Sequence, residues 1–372
     1  MRIGIDAREL CGRVTGVGRY LGGLLREWAR DERARLYDFV LYAPETPAVA
    51  LDSRRFRVRM VPGPPGTWWE QMKLPPAAAK DHLDVFFAPA YTAPLRLAVP
   101  TVVTIHDLSY DAHPEWFRMR EGVRRRIVTR LAARRARKII AVSRFTRDEI
   151  VERLGIDPAR VHVVPQGIDR PAVASGTCGE PTILYVGSIF NRRHVPDLIA
   201  AFRLLLERRP GVRLEIVGDN RTHPYEDLDR AIAAHGLGGR ATYRRWVGDD
   251  ELPALYRSAR AFAFVSDYEG LGTTPLEALS VGIPPVVSDT AVSRETLGEA
   301  AVFVVPGDVA ATARALEAAL FDEATRRRVF HAAPTALARY DWGRAARQTL
   351  ALLEEAARDG RQGFRGALAG AD

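Results

Sequence analysis

Short unbroken apolar runs punctuate this chain and alternate with stretches whose apolar residues return every three or four positions. A run of five such as Ala261, Phe262, Ala263, Phe264 and Val265 is the pattern of a strand buried on both faces, as in parallel sheets covered by helices. In the first half the pattern predicts strands at Arg2–Asp6, Leu36–Tyr42, Phe56–Val61, Asp84–Ala88, Pro100–His106, Lys138–Val142 and Val161–Val164. In the second half it predicts Thr182–Val186, Arg213–Val217, Ala241–Arg244, Ala261–Val265, Pro285–Ser288 and Val302–Val305. Strand and helix in alternation imply an α/β fold with parallel sheets. Between the halves, "GIDRPAVASGTCGEP" (167–181) is rich in Gly, Pro and small residues and lacks a period, as expected of a linker. Two such sheets facing each other would place their strands' carboxyl ends around a common cleft, where ligands bind.

Length agrees with two domains, since 372 residues exceed what one core usually serves, about 250 to 300. The expected division is 1–170, 171–342 and a closing segment 343–372, a C-terminal helix that can cross back to the first domain and ends in a frayed tail. Cys11 and Cys178 stand far apart with no metal-ligand spacing, so neither a disulfide framework nor a zinc site is expected and a reducing cytoplasm is. No apolar signal core opens the chain, and no run of about 18 apolar residues is present, so neither secretion by that route nor a membrane span is expected. The formal charge is +8, carried almost wholly by arginine, with lysine only at 73, 80 and 138. That balance admits nucleic acid, anionic lipid or phosphorylated small molecules as partners.

Candidate chemistry concentrates in "SDYEGLGTTPLEALSVGIPPVVSD" (266–289), read as strand end, corner, helix and strand. Glu269 and Glu277 lie eight positions apart across a glycine-rich corner. Glu277 has a plain explanation, because Thr274 to Glu277 spells a capping box with Pro275 at the first helical position. Glu269 is either a solvated loop residue or a ligand group at a strand's carboxyl end. Gly270 and Gly272 permit close backbone approach, and Thr273 and Thr274 open a helix whose free N–H groups suit an anion. A nucleotide diphosphate sugar has the matching outline, with hydroxyls at both ends and phosphates between.

Other candidates are read against equally plain alternatives. Arg192 and Arg193 follow the strand "TILYV" and either bind phosphate or form an exposed pair. Gly16 and Gly18 in "TGVGRY" bring backbone near phosphates or make an ordinary helix-starting turn. His106 ends the strand "PTVVTI", where a satisfied histidine is common. The only Asp-x-Asp, Asp227 to Asp229, reads as the first turn of a helix rather than a metal site. No metal site is expected, and cationic side chains with backbone donors must then neutralise a leaving diphosphate.

Taken in order, "GIDARELCGRVTGVGRYLGGLL", "TIHDL", "IIAVSRFTRDEI", "VHVVPQGID", "ILYVGSIFNRRHVPDLIAAF" and "YEGLG…LEALSVGIPPVVSD" resemble the family-four retaining glycosyltransferases. The resemblance spans most of the chain. It implies the GT-B fold, with two Rossmann-like, doubly wound domains facing a cleft. It also implies a nucleotide diphosphate sugar donor, such as GDP-mannose or a UDP-hexose, and no separate cofactor. By the same resemblance Glu269 binds sugar hydroxyls, Glu277 the ribose, Arg192 and Arg193 the diphosphate, and His106 sits at the reacting sugar. The acceptor would attack from the face the leaving group vacates. Two departures stand out. The family's Gly-aromatic-Gly-Leu-Pro run is here Gly270-Leu271-Gly272-Thr273-Thr274-Pro275, which implies a slightly different path at the corner. Its usual Arg-Lys is Arg192-Arg193, which keeps the charge and changes the phosphate geometry. Base recognition is expected largely from backbone near Trp246 and Val247.

Residues 114–138 carry Trp116, Met119, Val123, Ile127 and Leu131 at helical spacing, with arginines 118, 124, 125, 126, 135 and 137 crowding the rest. The stripe either packs on the sheet beneath a solvated basic face or meets anionic lipid. Trp68 and Trp69 make an acceptor-side loop or are buried tryptophans. The expected protein is a cytoplasmic, membrane-peripheral hexosyltransferase acting on a saccharide or lipid-linked acceptor in polysaccharide synthesis, with no nucleic-acid partner. Rivals are an epimerase of the same architecture and a non-catalytic basic protein that binds nucleic acid or membrane.

Overall fold

The computed structural model describes residues 1–170, 180–248 and 251–369, with side chains described through residue 360. Most of the linker stretch, including Cys178, and the end of the tail lie outside the described residues. The chain forms two compact units, one of Met1–Pro114, Arg118–Gly167 and Tyr340–Asp372, the other of Glu115–Phe117 and Ile168–Arg339.

In the first unit, β1 (Arg2–Asp6), β2 (Asp38–Ala43), β3 (Phe56–Met60), β4 (Val85–Ala88), β5 (Thr101–Ile105), β6 (Lys138–Ala141) and β7 (Val161–Val163) form one sheet in the order β3-β2-β1-β4-β5-β6-β7. All its pairings are parallel. The central β4 and β5 are buried along their whole length, whereas the edge strand β3 alternates toward solvent, which is why only the central strands read as unbroken apolar runs. The helix Gly16–Arg30 closes one face together with the C-terminal helix Trp342–Ala369. Trp28 Nε1 donates to the Ala346 carbonyl at 3.0 Å, and the Trp342 ring seats against Gly23, where a Cβ would come within 2.6 Å. Burial of Ala345, Leu353 and Ala356 makes this late segment part of the first unit's core.

In the second unit, β8 (Thr182–Val186), β9 (Arg213–Val217), β10 (Ala241–Arg244), β11 (Ala259–Phe264), β12 (Pro285–Ser288) and β13 (Val302–Val304) run in the order β10-β9-β8-β11-β12-β13. These pairings are also parallel. Both orders start at the middle and wind outward both ways, so each sheet has a switch point where crossovers leave to opposite faces. In the second unit that point lies between β8 and β11.

One sequence expectation is corrected here. The basic helix runs from Met119 to Arg135 rather than from residue 114, and it turns Gly122, Thr129, Ala132 and Ala133 inward. Met119 is 83% exposed and Ile127 54%, with Val123 and Leu131 exposed beside them. Small residues let the helix lie close to its neighbours; the large apolar stripe is left facing solvent. The tryptophan pair divides. Trp69 is buried and donates to the Val61 carbonyl at 2.7 Å, while Trp68 is exposed beside Lys73.

Candidate functional site

In the second unit, the switch point brings together the loops that leave β8 and β11. After β8 the chain runs alongside the loop after β9, with Gly187 N–H donating to Val217 and an isolated bridge between Ile189 and Asn220. It then makes a single turn, Asn191–Arg193, and enters the helix Val195–Arg208. After β11 the chain passes Ser266 and Asp267 to Glu269 and enters the helix Thr273–Ser280. Backbone and side chains join the two loops: Asp267 N–H donates to the Arg192 carbonyl at 2.9 Å, and Arg192 Nε donates to the Tyr268 carbonyl at 3.2 Å.

Arg193 and Glu269 form a bidentate pair. Nε donates to Oε1 at 2.7 Å and Nη2 to Oε2 at 2.9 Å, while Nη1 donates to the Ser188 carbonyl at 2.6 Å. The guanidinium lies over Phe264, 4.7 Å from the ring centre. Both side chains are nearly enclosed, 13% and 14% exposed. Burial alone would raise the Glu269 carboxyl, but Arg193 and then Arg192 outweigh it and hold it below the usual range. Ser266 also donates to Oε1 at 2.9 Å. An ionised carboxylate offers about four lone-pair sites, so Glu269 keeps capacity for a hydroxyl donor. Arg192 is buried against the Phe190 ring at 4.5 Å. Its terminal nitrogens make no hydrogen bond among the described residues, which leaves a fork for an anion.

Glu269, Ser266, Leu271, Gly272 and Pro275 line a small, shallow recess. Gly272 caps the helix Thr273–Ser280 in the left-handed region, φ 79°, with open space where a side chain would stand. The capping-box reading of Thr274 and Glu277 is therefore corrected. Gly272 occupies the cap, no side chain bonds there, and Pro275 is the third helical residue. With no side chain closing it, the first turn keeps its N–H groups for a ligand. Glu277 is instead buried within the helix, where Tyr256 Oη approaches Oε2 at 3.4 Å. Val247 is buried after β10 and Trp246 is half exposed. Asp227 caps the helix Leu228–Ala234, accepting from the Arg230 N–H at 3.0 Å.

The remaining candidates belong to the first unit. Gly18 is demanded by the chain itself, since a Cβ there would lie 2.3 Å from the Glu9 carbonyl oxygen, whereas Gly16, first in its helix, faces open space. His106 Nε2 donates to the Pro89 carbonyl at 2.8 Å, which fixes Nδ1 as the acceptor, and Tyr20 meets the ring edge-on at 5.0 Å. Burial lowers its pKa, against smaller raising effects of the Pro89 carbonyl and Asp107, so the ring is neutral near pH 7. Close by, Asp6, Arg8 and Glu70 form a buried ion cluster, Arg8 Nη2 donating to Glu70 Oε1 at 2.7 Å. Sequence reasoning passed over this cluster, and over Ser266 and His194 in the second unit. Ser266 was legible as a hydroxyl just past an apolar strand.

Two parallel, doubly wound units with these loops are the GT-B class of protein. Residues 14–170 match the family described as Glycosyltransferase Family 4, and residues 175–335 match Glycosyl transferases group 1. The chain belongs to this family of glycosyltransferases. It is 32% identical over 274 residues to a glycogen synthase of Mycobacterium tuberculosis, covering 71% of this chain and 65% of the relative, just under two thirds of its length. It is 27% identical to O-antigen chain mannosyltransferase B of Escherichia coli, covering 73% and 75%. The crystal structure of Anabaena Alr3699/HepE in complex with UDP and glucose superposes with a TM-score of 0.74 at 19% identity, over 95% of this chain and all of that one.

Proposed function

We propose that this protein is a retaining glycosyltransferase that moves a hexose, with mannose the leading candidate, from a nucleotide diphosphate sugar to a saccharide or lipid-linked saccharide acceptor. One observation carries the reading: Arg192, Arg193 and Glu269 converge at the carboxyl ends of the adjacent strands β8 and β11, beside a helix start that no side chain caps. Breaking the bond between C1 and the phosphate oxygen leaves the electron pair on the diphosphate. Arg192 and the first-turn N–H groups of the helix Thr273–Ser280 would receive that charge, and Glu269 would accept from sugar hydroxyls. Arg193 orients Glu269 and adds to the positive field. Glu277 would hold the ribose, Gly16 would let backbone approach the donor, and His106 would contact the reacting sugar through Nδ1. The transfer needs no metal in this reading, since Asp227 is already committed to a helix cap and cations stand where the leaving charge grows. UDP bound to the Anabaena protein supports a nucleotide sugar and the mannosyltransferase relative supports a hexose; UDP- and GDP-hexoses are both candidate donors.

The test is a melting-temperature panel of UDP-, GDP- and ADP-sugars with EDTA present, followed by release of nucleoside diphosphate. One donor, at a hundred times its dissociation constant, is expected to stabilise the protein by about 2.7 kcal/mol. Failure of every nucleotide sugar to shift the transition overturns the assignment. Conversion of the donor sugar without an acceptor would indicate the epimerase.

The exposed ridge Met119, Val123, Ile127 and Leu131, flanked by exposed Arg118, Arg120, Arg124 and Arg125, supports a peripheral position on the cytoplasmic membrane face, within reach of a lipid-linked acceptor. Among the described residues, no helix is long and apolar enough to cross a membrane. Apolar side chains between arginines suit an interface of acyl chains and anionic headgroups. The protein is expected to sediment with phosphatidylglycerol vesicles and not with phosphatidylcholine vesicles. The Ile127→Glu substitution should abolish sedimentation without altering the melting temperature, because that side chain is already in solvent.

A further inference from the structure

His194 lies between the turn that carries the two arginines and the helix Val195–Arg208, with φ 45° in the left-handed region. A side chain there carries backbone strain, which asks what the imidazole contributes. Nδ1 bonds Asp197 Oδ2 at 2.8 Å, and Nε2, shielded from solvent, stands 2.8 Å from Asp267 Oδ2 as a charge contact rather than an aligned hydrogen bond. Asp197 is in the first turn of the following helix, while Asp267 precedes Glu269 by two residues in the loop after β11.

We propose that His194 is a positioning residue: its imidazolium ties Asp197 to Asp267 and so holds the Glu269 loop in register with the Arg192–Arg193 turn. This rests on the glycosyl-transfer reading of that site. The neutral ring has one N–H and can serve only one carboxylate, whereas the imidazolium has two. Losing the proton therefore releases one end of the bridge.

The charges around the ring agree. From the helix comes Asp197, and from the loop after β11 comes Asp267. Before the helix Leu228–Ala234, the carboxyl of Glu226 is raised mainly by burial, against the hydrogen bond from Asn191 and a smaller lowering effect of His194. Arg193 is engaged by Glu269 and Ser188, and Arg192 points to Tyr268. Burial would favour the neutral ring, but Asp267 and Asp197 outweigh it and raise the His194 pKa above its ordinary value. A raised pKa means the bridge is present below it and lost as pH rises through it.

The experiment compares wild type, His194→Asn, Asp267→Asn and the double variant, because asparagine tolerates the left-handed region and cannot span both carboxylates. Donor turnover is followed across about pH 6 to 9, together with melting temperature and the His194 imidazole resonance. His194→Asn should keep its melting temperature within a few degrees and lose turnover by roughly ten- to a hundredfold. It should also lose the alkaline limb that wild type shows, and Asp267→Asn should give a similar loss with little added in the double variant. A His194→Asn enzyme with wild-type turnover and the same alkaline limb overturns the proposal. Should wild type bind no nucleotide sugar, the functional reading fails by itself. The bridge is then judged by the imidazole resonance: a raised pKa that falls in Asp267→Asn supports it, and an ordinary pKa indifferent to Asp267 overturns it.

Discussion

Arg193→Ala is expected to destabilise the protein by about 3–5 kcal/mol, the usual cost of removing one partner of a buried ion pair. The substitution leaves the Glu269 carboxylate nearly enclosed beside Phe264, with Ser266 as its nearest donor and Arg192 as the remaining positive charge. Glu269→Ala should do comparable damage by stranding a guanidinium between Phe190 and Phe264. Single truncations therefore cannot separate folding from chemistry, and the combined change can. Replacing both partners by uncharged residues of similar size, Arg193→Met with Glu269→Gln, should recover most of the lost stability, since it leaves no uncompensated charge. Turnover should stay reduced by at least roughly 10²-fold, because the charge facing the leaving group and the sugar is gone. Urea unfolding and initial rates on the four proteins check both halves. Recovery of rate along with stability would make the pair purely structural.

The same pair gives the stability a defined acid limb. Glu269 has a depressed pKa in the folded state, so its contribution is fully present above the ordinary carboxylate value of about 4.5 and is lost as pH falls through the lower folded value. The uncharged double variant should lack that part of the acid transition.

Sequence patterning located the strands of both sheets within a residue or two, most plainly the central ones, because a parallel strand buried on both faces writes itself as an unbroken apolar run, while an edge strand such as Phe56–Met60 alternates. It was least informative where packing distance decides. On the helix Met119–Arg135 the large apolar residues suggested the inward face, yet Gly122, Thr129 and Ala132 take it, since close approach favours small side chains. At the corner, Thr274 and Glu277 fit a capping box, but the positive φ of Gly272 starts the helix two residues earlier. The sequence showed Arg192 and Arg193 as one basic pair. Only the fold shows that Arg193 is bound to Glu269 while, among the described residues, the terminal nitrogens of Arg192 make no hydrogen bond. His194 carried no local signal, because its partners at 197 and 267 are distant from each other in sequence.

Beneath these side chains lies a backbone contact whose disturbance should be nearly as costly, and Gly218→Ala tests it. Gly218 follows β9, and a Cβ there would sit 1.8 Å from the Gly187 carbonyl oxygen and 2.7 Å from its carbon. Such overlap with backbone cannot be relieved by turning a side chain. Gly187 itself donates to Val217, and Gly218 donates to the Arg244 carbonyl at 2.9 Å, so moving either loop breaks bonds to a neighbouring strand. Overpacking of this kind costs typically about 1–3 kcal/mol and more where backbone must shift; the upper part of that range is expected here, about 6–12 °C in melting temperature for a unit of this size. The consequence reaches the site, because Gly187 lies one residue from Ser188, whose carbonyl holds Arg193, and the Ile189–Asn220 bridge fixes the approach to the arginine turn. Gly218→Ala should therefore weaken donor binding at temperatures where the protein is still folded. Gly16→Ala, a cavity-free substitution in open space at the start of a helix, should leave the melting temperature unchanged. Equal melting temperatures for the two variants would show that the contact between the loops after β8 and β9 does not constrain the fold.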